Sequence, residues 1–249
     1  MSYIAQLYLL PNTLGGPVAD FANAQAQRIA QDVQFFIVEE IRSARRLLRG
    51  LSYEGDFQDK QFFILNQHTD QEMLADYLLP LKDGKDMAII SEAGVPCVAD
   101  PGSAIVELAH ELNVKVIPIS GPSSILMALM ASGLNGQRFS FNGYLPREKN
   151  ERMQKFKQME AQAFNGETQL FMDTPYRNEQ TFEEACLGLK DDTFLCIATN
   201  LMCEDEMITT KSIIAWKEGR KPIVNKKNVI FIVGRKPISN AKKELKRRF

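Results

Sequence analysis

Two stretches gather hydroxyls, carboxylates and glycines where apolar runs stop. In MAIISEAGVPCVADPG, residues 87–102, the uncharged run Met87-Ala88-Ile89-Ile90 gives way to Ser91-Glu92-Ala93-Gly94 and then to Ala99-Asp100-Pro101-Gly102. Such a run suits a strand buried on both faces of a parallel sheet. Asp100 is placed to cap the N–H groups of a following helix, with Pro101 at its first position. Loops at the carboxyl ends of parallel strands hold ligands in open α/β sheets, so this stretch reads as one wall of a small-molecule site. A strand-to-helix connection without a ligand accounts for the same residues. The second stretch, Ser120-Gly121-Pro122-Ser123-Ser124, follows an apolar run at 115–119 and opens a helix over 125–130. Its hydroxyls and free N–H groups favour a carboxylate or phosphate, although an ordinary capped core helix has the same pattern. Arg42, Arg45, Arg46 and Arg49 fall at helical spacing. A face that shares several of them either neutralises phosphates or is simply solvated.

These groups need rigid elements behind them. Residues 4–10 read as a strand ending in the loop Pro11-Asn12-Thr13-Leu14-Gly15-Gly16, and 17–32 carry apolar residues at helical spacing. Strands follow at 33–38, 61–65, 87–90 and 115–119, with helical segments between them. That alternation predicts right-handed crossovers and a mostly parallel sheet. The 125–130 helix is apolar nearly all round, which predicts burial on several sides. Beyond the break Gly133-Leu134-Asn135-Gly136, a second sheet begins at 139–146, a charged surface helix covers 147–163, and strands are expected at 168–172, 194–198, 208–216 and 228–233, the last two antiparallel. The boundary falls near Ser120, giving an N-terminal α/β lobe over 1–120 and a C-terminal lobe with a mixed sheet over 121–249.

Four segments in order, SEAGVPCVADPG, ISGPSSILMALMASGL, RFSFNGYLPR and MDTPYR, resemble the successive motifs of the tetrapyrrole methylase superfamily. The likeness is greatest to its branch of small-subunit ribosomal RNA cytidine 2′-O-methyltransferases. It implies a two-lobed α/β fold, with a mostly parallel N-terminal sheet, a mixed α+β C-terminal sheet and an S-adenosylmethionine (SAM) cleft between the lobes. It also implies a homodimer. Cofactor contacts are implied at Ser91, Glu92, Ala93, Gly94, Val98 and Asp100, and at Ser120, Gly121, Ser123 and Ser124. Phe141, then Met172, Asp173, Thr174 and Pro175, represent the later motifs. Pro11 and Asn12 after the first strand, and Ala198 at the end of another, complete the set. Arg42, Arg45 and Arg46 are the implied acceptor contacts.

The chain departs from that branch at several points. Gly15-Gly16-Pro17 replaces an acidic turn, Ile41 stands where a threonine is expected, and Asn66-Gln67-His68-Thr69 keeps only the histidine of a His-Glu-His-Asn sequence. Thr199-Asn200-Leu201-Met202-Cys203 replaces Arg-Glu-Leu-Thr-Lys, removing three charged side chains from the acceptor region. Methyl transfer from a sulfonium is an in-line displacement that gains mainly from positioning and requires no metal. A ribose hydroxyl needs a base, for which Glu39, Glu40 and His68 are the candidates. A tetrapyrrole ring carbon needs less help and calls for a flat apolar pocket. Three readings follow: transfer to the small ribosomal subunit's RNA, transfer to a tetrapyrrole or other small acceptor, and SAM binding without transfer.

Composition narrows these readings. The chain has 249 residues, 45% hydrophobic and 24% charged, with a net charge of −1, so binding to nucleic acid requires a local basic patch. Its four cysteines make no C-x-x-C pair and read as reduced thiols of a cytoplasmic protein. Residues 1–10 lack a basic leader, and no apolar run is long enough to span a membrane. The basic segment at 242–248 could touch RNA.

Overall fold

The computed structural model describes residues 5–66 and 69–235. His68 and the basic segment 242–248 lie outside them. The chain divides into two compact units: the described residues up to Ser124 together with Met202–Glu204, and Ile125–Leu201 together with the described residues from Asp205 onward. The division falls at Ser124 rather than at Ser120.

The first unit alternates strand and helix: β1 (Gln6–Leu10), α1 (Ala24–Asp32), β2 (Phe35–Val38), α2 (Ile41–Gly50), β3 (Gln61–Ile64), α3 (Gln71–Tyr77), α4 (Leu79–Lys82), β4 (Met87–Ile90), α5 (Ser103–Glu111) and β5 (Lys115–Pro118). The five strands form one parallel sheet in the order β3-β2-β4-β1-β5. Every residue of β4 is buried, as its lack of charge requires. Its side chains alternate: Ala88 and Ile90 pack with Ile29 of α1 and Leu47 of α2, while Met87 and Ile89 pack with Leu74 of α3 and Ile105 of α5. Lys60 is buried beside Phe36 and Tyr53, its ammonium donating to the carbonyls of Ala30, Gln31 and Val33 at 2.7–2.9 Å and so closing the end of α1.

The second unit carries most of α6 (Ser124–Ser132), then β6 (Phe139–Tyr144), α7 (Lys149–Phe164), β7 (Thr168–Met172), α8 (Asn178–Gly188), β8 (Phe194–Thr199), β9 (Met207–Ser212), α9 (Ile213–Glu218) and β10 (Val229–Gly234). The sheet order is β6-β7-β10-β8-β9; only β6 and β7 run parallel. Phe156, Phe171, Phe231 and Trp216 share its core.

Four expectations change. The helix expected over 17–32 splits into a short 3-10 turn at Val18–Asp20 and α1, because the Asn23 side chain caps the N–H groups of Gln25 and Ala26. The strand expected over 208–216 stops at Ser212, whose hydroxyl caps the N–H of Ala215 and starts α9. Asp100 does not cap α5, which begins at Ser103 after an N-cap at Gly102; its carboxylate turns back on its own loop. In α6 only Ala128, Leu129 and Ser132 are buried, while Leu126 is 50% and Met130 82% exposed. The apolar surround of that helix exceeds what the described chain covers.

Candidate functional site

Register brings the implied residues of the first unit to one level. Leu10 and Val38 both pair with Ile90, so Pro11, Glu39 and Ser91 leave the sheet side by side at its carboxyl end. Ile119 donates to the Leu9 carbonyl and delivers Ser120 to the same rim. This is the edge at which open parallel sheets hold ligands.

Asn12 ties that rim together. Its backbone exchanges hydrogen bonds with Gly94, at 2.9 Å from Asn12 N and 3.2 Å from Gly94 N. Its side-chain amide donates to the carbonyls of Ser91 and Glu92 at 3.0 and 3.1 Å and reaches the Ser43 hydroxyl at 3.2 Å. Ser91 is buried and donates to the Gly94 carbonyl at 2.6 Å. Asn12 and Ser91 therefore hold the turn in place, leaving Glu92 and Ala93 exposed on it. Ser43 was missed in the sequence; its signal is its place three residues after Glu40 in a helix start. Gly94 (φ +71°) lies under Leu14 and the Pro122 carbonyl, each 3.1 Å from where a Cβ would stand, and Gly121 lies so close to Pro11 that a Cβ would be 2.1 Å from its ring.

The next turn is held by Asp100. Both its carboxylate oxygens accept from Cys97 N at 2.9 Å, and one accepts from Gly102 N at 2.8 Å. Cys97 and Ala99 take left-handed φ of 66° and 61°, and Val98 between them is half exposed. Burial, with the Asp100 charge adding to it, pushes the Cys97 thiol up to about 12, so it stays protonated.

The acidic pair divides by role. Glu40 is the N-cap of α2, accepting from Arg42 N at 2.8 Å and Ser43 N at 2.6 Å, and these bonds hold its carboxyl below the usual range. A carboxylate so occupied is a poor base. Glu39 is half-buried, and its carboxyl is pushed up by burial and by the charges of Asp100 and Glu92, against a 3.4 Å hydrogen bond from Glu92 N. Glu39 and Asp100 line a small cavity of about 10 Å³ with Pro101 and Gly102, room for about one water. Of the three expected bases, Glu39 alone among the described residues has the environment of one.

The arginines also split. The guanidinium groups of Arg45 and Arg49 lie over the Phe57 ring at 5.2 and 4.4 Å, with Phe62 and Tyr53 beside them. Arg45 is thereby drawn to an aromatic cluster rather than to the rim. Arg42 and Arg46 are exposed and act electrostatically on Glu40, and Arg46 also on Glu92.

Ser120 is exposed and its carbonyl accepts from the Asn23 amide at 3.4 Å; Ser123 and Ser124 are partly buried at the start of α6. In the second unit, buried Asp173 is consumed locally, by Arg177 as an ion pair, by Thr174 N at 2.7 Å and by the Thr181 hydroxyl at 2.7 Å. It shapes the turn and leaves Thr174 exposed, with Met172 and Pro175 partly so. Phe141 is partly buried where β6 bulges against β7. Ala198 is buried between β9 and β10, so neither side chain nor backbone is offered there. The hydroxyl of its neighbour Thr199 is buried without a partner among the described residues.

Two departures from the resembled pattern touch each other. A Cβ on Gly16 would stand 2.0 Å from the Met202 carbonyl oxygen, and one on Gly15 would be 2.7 Å from Cys203 Sγ. Met202 holds a left-handed φ of 66°. No local sequence signal announces a contact between segments so far apart in the chain.

The model of the family "Tetrapyrrole (Corrin/Porphyrin) Methylases" matches residues 19–213. The chain is 29% identical over 196 residues to "Ribosomal RNA small subunit methyltransferase I" of Escherichia coli O157:H7, covering 79% of this chain and 65% of that protein. Proteins of the same name from Haemophilus influenzae and Streptococcus pyogenes are each 30% identical, over 83% and 85% of this chain and 70% and 71% of theirs. The chain thus spans about two thirds of the length of these relatives. The crystal structure of the methyltransferase CobJ has the same fold, with a TM-score of 0.62 at 13% identity, over 93% of this chain and 94% of that one. This chain belongs to the tetrapyrrole (corrin/porphyrin) methylase family.

Proposed function

We propose that the protein is a SAM-dependent methyltransferase acting on small-subunit ribosomal RNA, at a ribose 2′-hydroxyl. The relatives named above support the RNA, and the placement of Glu39 carries the hydroxyl: a half-buried carboxylate, raised above the ordinary range, on the ligand-holding edge of a parallel sheet. The rim suits the cofactor, since Glu39, Glu92 and Asp100 form an anionic surround for a sulfonium, and Gly94 and Gly121 keep the backbone open where side chains would collide. Exposed main chain at Glu92, Ala93 and Val98, with the Ser120–Ser124 turn, would hold SAM. SAM supplies an electrophilic methyl group. Glu39 accepts the proton of the attacking hydroxyl, directly or through one water. Arg42 and Arg46 hold phosphates of the acceptor and fix its position.

A homodimer and a cytoplasmic location belong to the same proposal. The exposed Leu126 and Met130 on α6 offer an apolar face to a second copy, and all four cysteines are free thiols. No helix among the described residues is long and apolar enough to cross a membrane.

A second reading, transfer to a tetrapyrrole or other small acceptor, is favoured by the uncharged Met202-Cys203 pair against the Gly15-Gly16 loop. Transfer of labelled methyl groups from SAM to small ribosomal subunits, with porphyrinoids in parallel, separates them. Label in the RNA supports the first reading, label only in the porphyrinoid the second, and SAM binding without any product neither.

A further inference from the structure

The end of α7, the loop before β8 and the end of β10 converge on a surface groove of about 390 Å³ in the second unit. Phe164 is 62% exposed there, and the Arg235 guanidinium sits 4.2 Å above its ring centroid. Lys157 and Lys190 are exposed beside them, their ammonium groups without an ion-pair partner among the described residues. Two acids face the same space. Glu160 spends its carboxylate on Lys190 N at 2.7 Å and the Thr193 hydroxyl at 2.5 Å, and Asp192 meets Arg235 at 2.7 Å on the rim. Cations outnumber acids, and an aromatic ring lines the same groove.

We propose that this groove binds a single-stranded segment of the RNA substrate, a base stacking on the Phe164–Arg235 pair while Lys157 and Lys190 meet phosphates. The inference rests on the reading of the protein as an RNA methyltransferase and adds a second contact to it. An aromatic plane beside cations on a groove is the means by which proteins hold unpaired nucleotides without reading their sequence. The site is separate from the turn at Asp173: the groove lies where β7 and β8 begin and β10 ends, whereas Asp173 follows the last residue of β7. A five-residue strand spaces the two by roughly 15 Å. A long acceptor can span that distance; a small one cannot. Directly after Arg235 the sequence continues with Lys236, Lys242, Lys243, Lys246, Arg247 and Arg248 against Glu244 alone. By sequence that run carries the charge sign that a polyanion neutralises.

The test is fluorescence anisotropy of the full chain with a labelled oligouridine of roughly 16 nucleotides across a salt series. Phe164→Leu should weaken binding by about fivefold or more with an unchanged salt slope. Lys157→Ala combined with Lys190→Ala should reduce the slope of log K against log salt by about 1.4. SAM affinity by calorimetry and Trp216 emission should match the unaltered chain in both variants. RNA binding of the same strength and slope in both would overturn the groove, and so would equal competition by polyglutamate, the outcome for an acidic protein partner. Failure of methyl transfer to ribosomal RNA with these RNA effects intact counts against the proposed function and not against the groove.

Discussion

Asn12 and Gly94 hold each other by paired backbone hydrogen bonds, joining the loop after β1 to the loop after β4. The Asn12 amide adds two carbonyls of the same loop. Replacing it leaves buried acceptors unmade, at about 1–3 kcal/mol. Asn12→Ala should lower SAM affinity measured by calorimetry by about tenfold or more, through a loosened turn. Unchanged affinity would mean that the 91–94 turn keeps its shape unaided.

Glu39 and Glu40, adjacent in sequence, should respond oppositely to substitution. Glu39→Gln should cut methyl transfer by about 10²- to 10⁴-fold with SAM affinity retained. Glu40→Ala should instead cost about 0.5–2 kcal/mol of stability as a lost N-cap. Because its carboxyl is raised above the ordinary 4.5, Glu39 stays protonated to higher pH than a free glutamate. The acid limb of kcat/KM should therefore have its midpoint above that value and vanish in Glu39→Gln.

Gly121 tests the close approach of backbone at the rim. Gly121→Ala drives a methyl to 2.1 Å from the Pro11 ring, so Pro11 or the 120–124 turn must move. Overpacking of this kind costs about 1–3 kcal/mol, and SAM affinity should fall with it. Gly84→Ala is the control: its φ of +71° is left-handed but nothing lies within 4 Å of the added Cβ, so about 1 kcal/mol of stability and no SAM affinity should be lost.

Arg152 and Glu184 form a buried two-point ion pair in the second unit, at 2.6 and 2.8 Å. The hydrogen bonds from Arg152 hold the Glu184 carboxyl below its ordinary 4.5. Its contribution is thus present above that value and lost as pH falls through the lowered one. Arg152→Ala leaves a buried carboxylate unpaired and should cost about 3–5 kcal/mol in urea unfolding followed by Trp216, the chain's single tryptophan. Replacing both partners with methionine should cost much less and flatten the fall of stability on the acid side of 4.5, where a lowered carboxylate titrates.

The parallel sheet was legible because strand and helix alternate, and the buried β4 announced itself by lacking charge. The site was legible as motifs but not as roles. Glu40 read as a base and Asp100, Ser91 and Asp173 as ligand contacts, yet the three carboxylates accept from nearby N–H, hydroxyl or guanidinium groups and the Ser91 hydroxyl donates to the Gly94 carbonyl. Short polar residues beside glycines serve turns and ligands alike, and spacing cannot say which. Ser212 ended a strand inside a run whose apolar residues fit either element. Lys60 and the meeting of Gly16 with Met202 had no local sign, since burial of an amine and a contact across most of the chain are set by tertiary packing.

The most direct measurement is incubation of the protein with labelled SAM and unmethylated small ribosomal subunits, followed by nucleoside analysis of the RNA. We expect a 2′-O-methylated nucleoside from the unaltered chain, and its near-complete loss with Glu39→Gln at undiminished SAM affinity. Label on a base, or a Glu39→Gln chain that transfers at full rate, would contradict the role given to this carboxylate and the ribose hydroxyl it is proposed to activate.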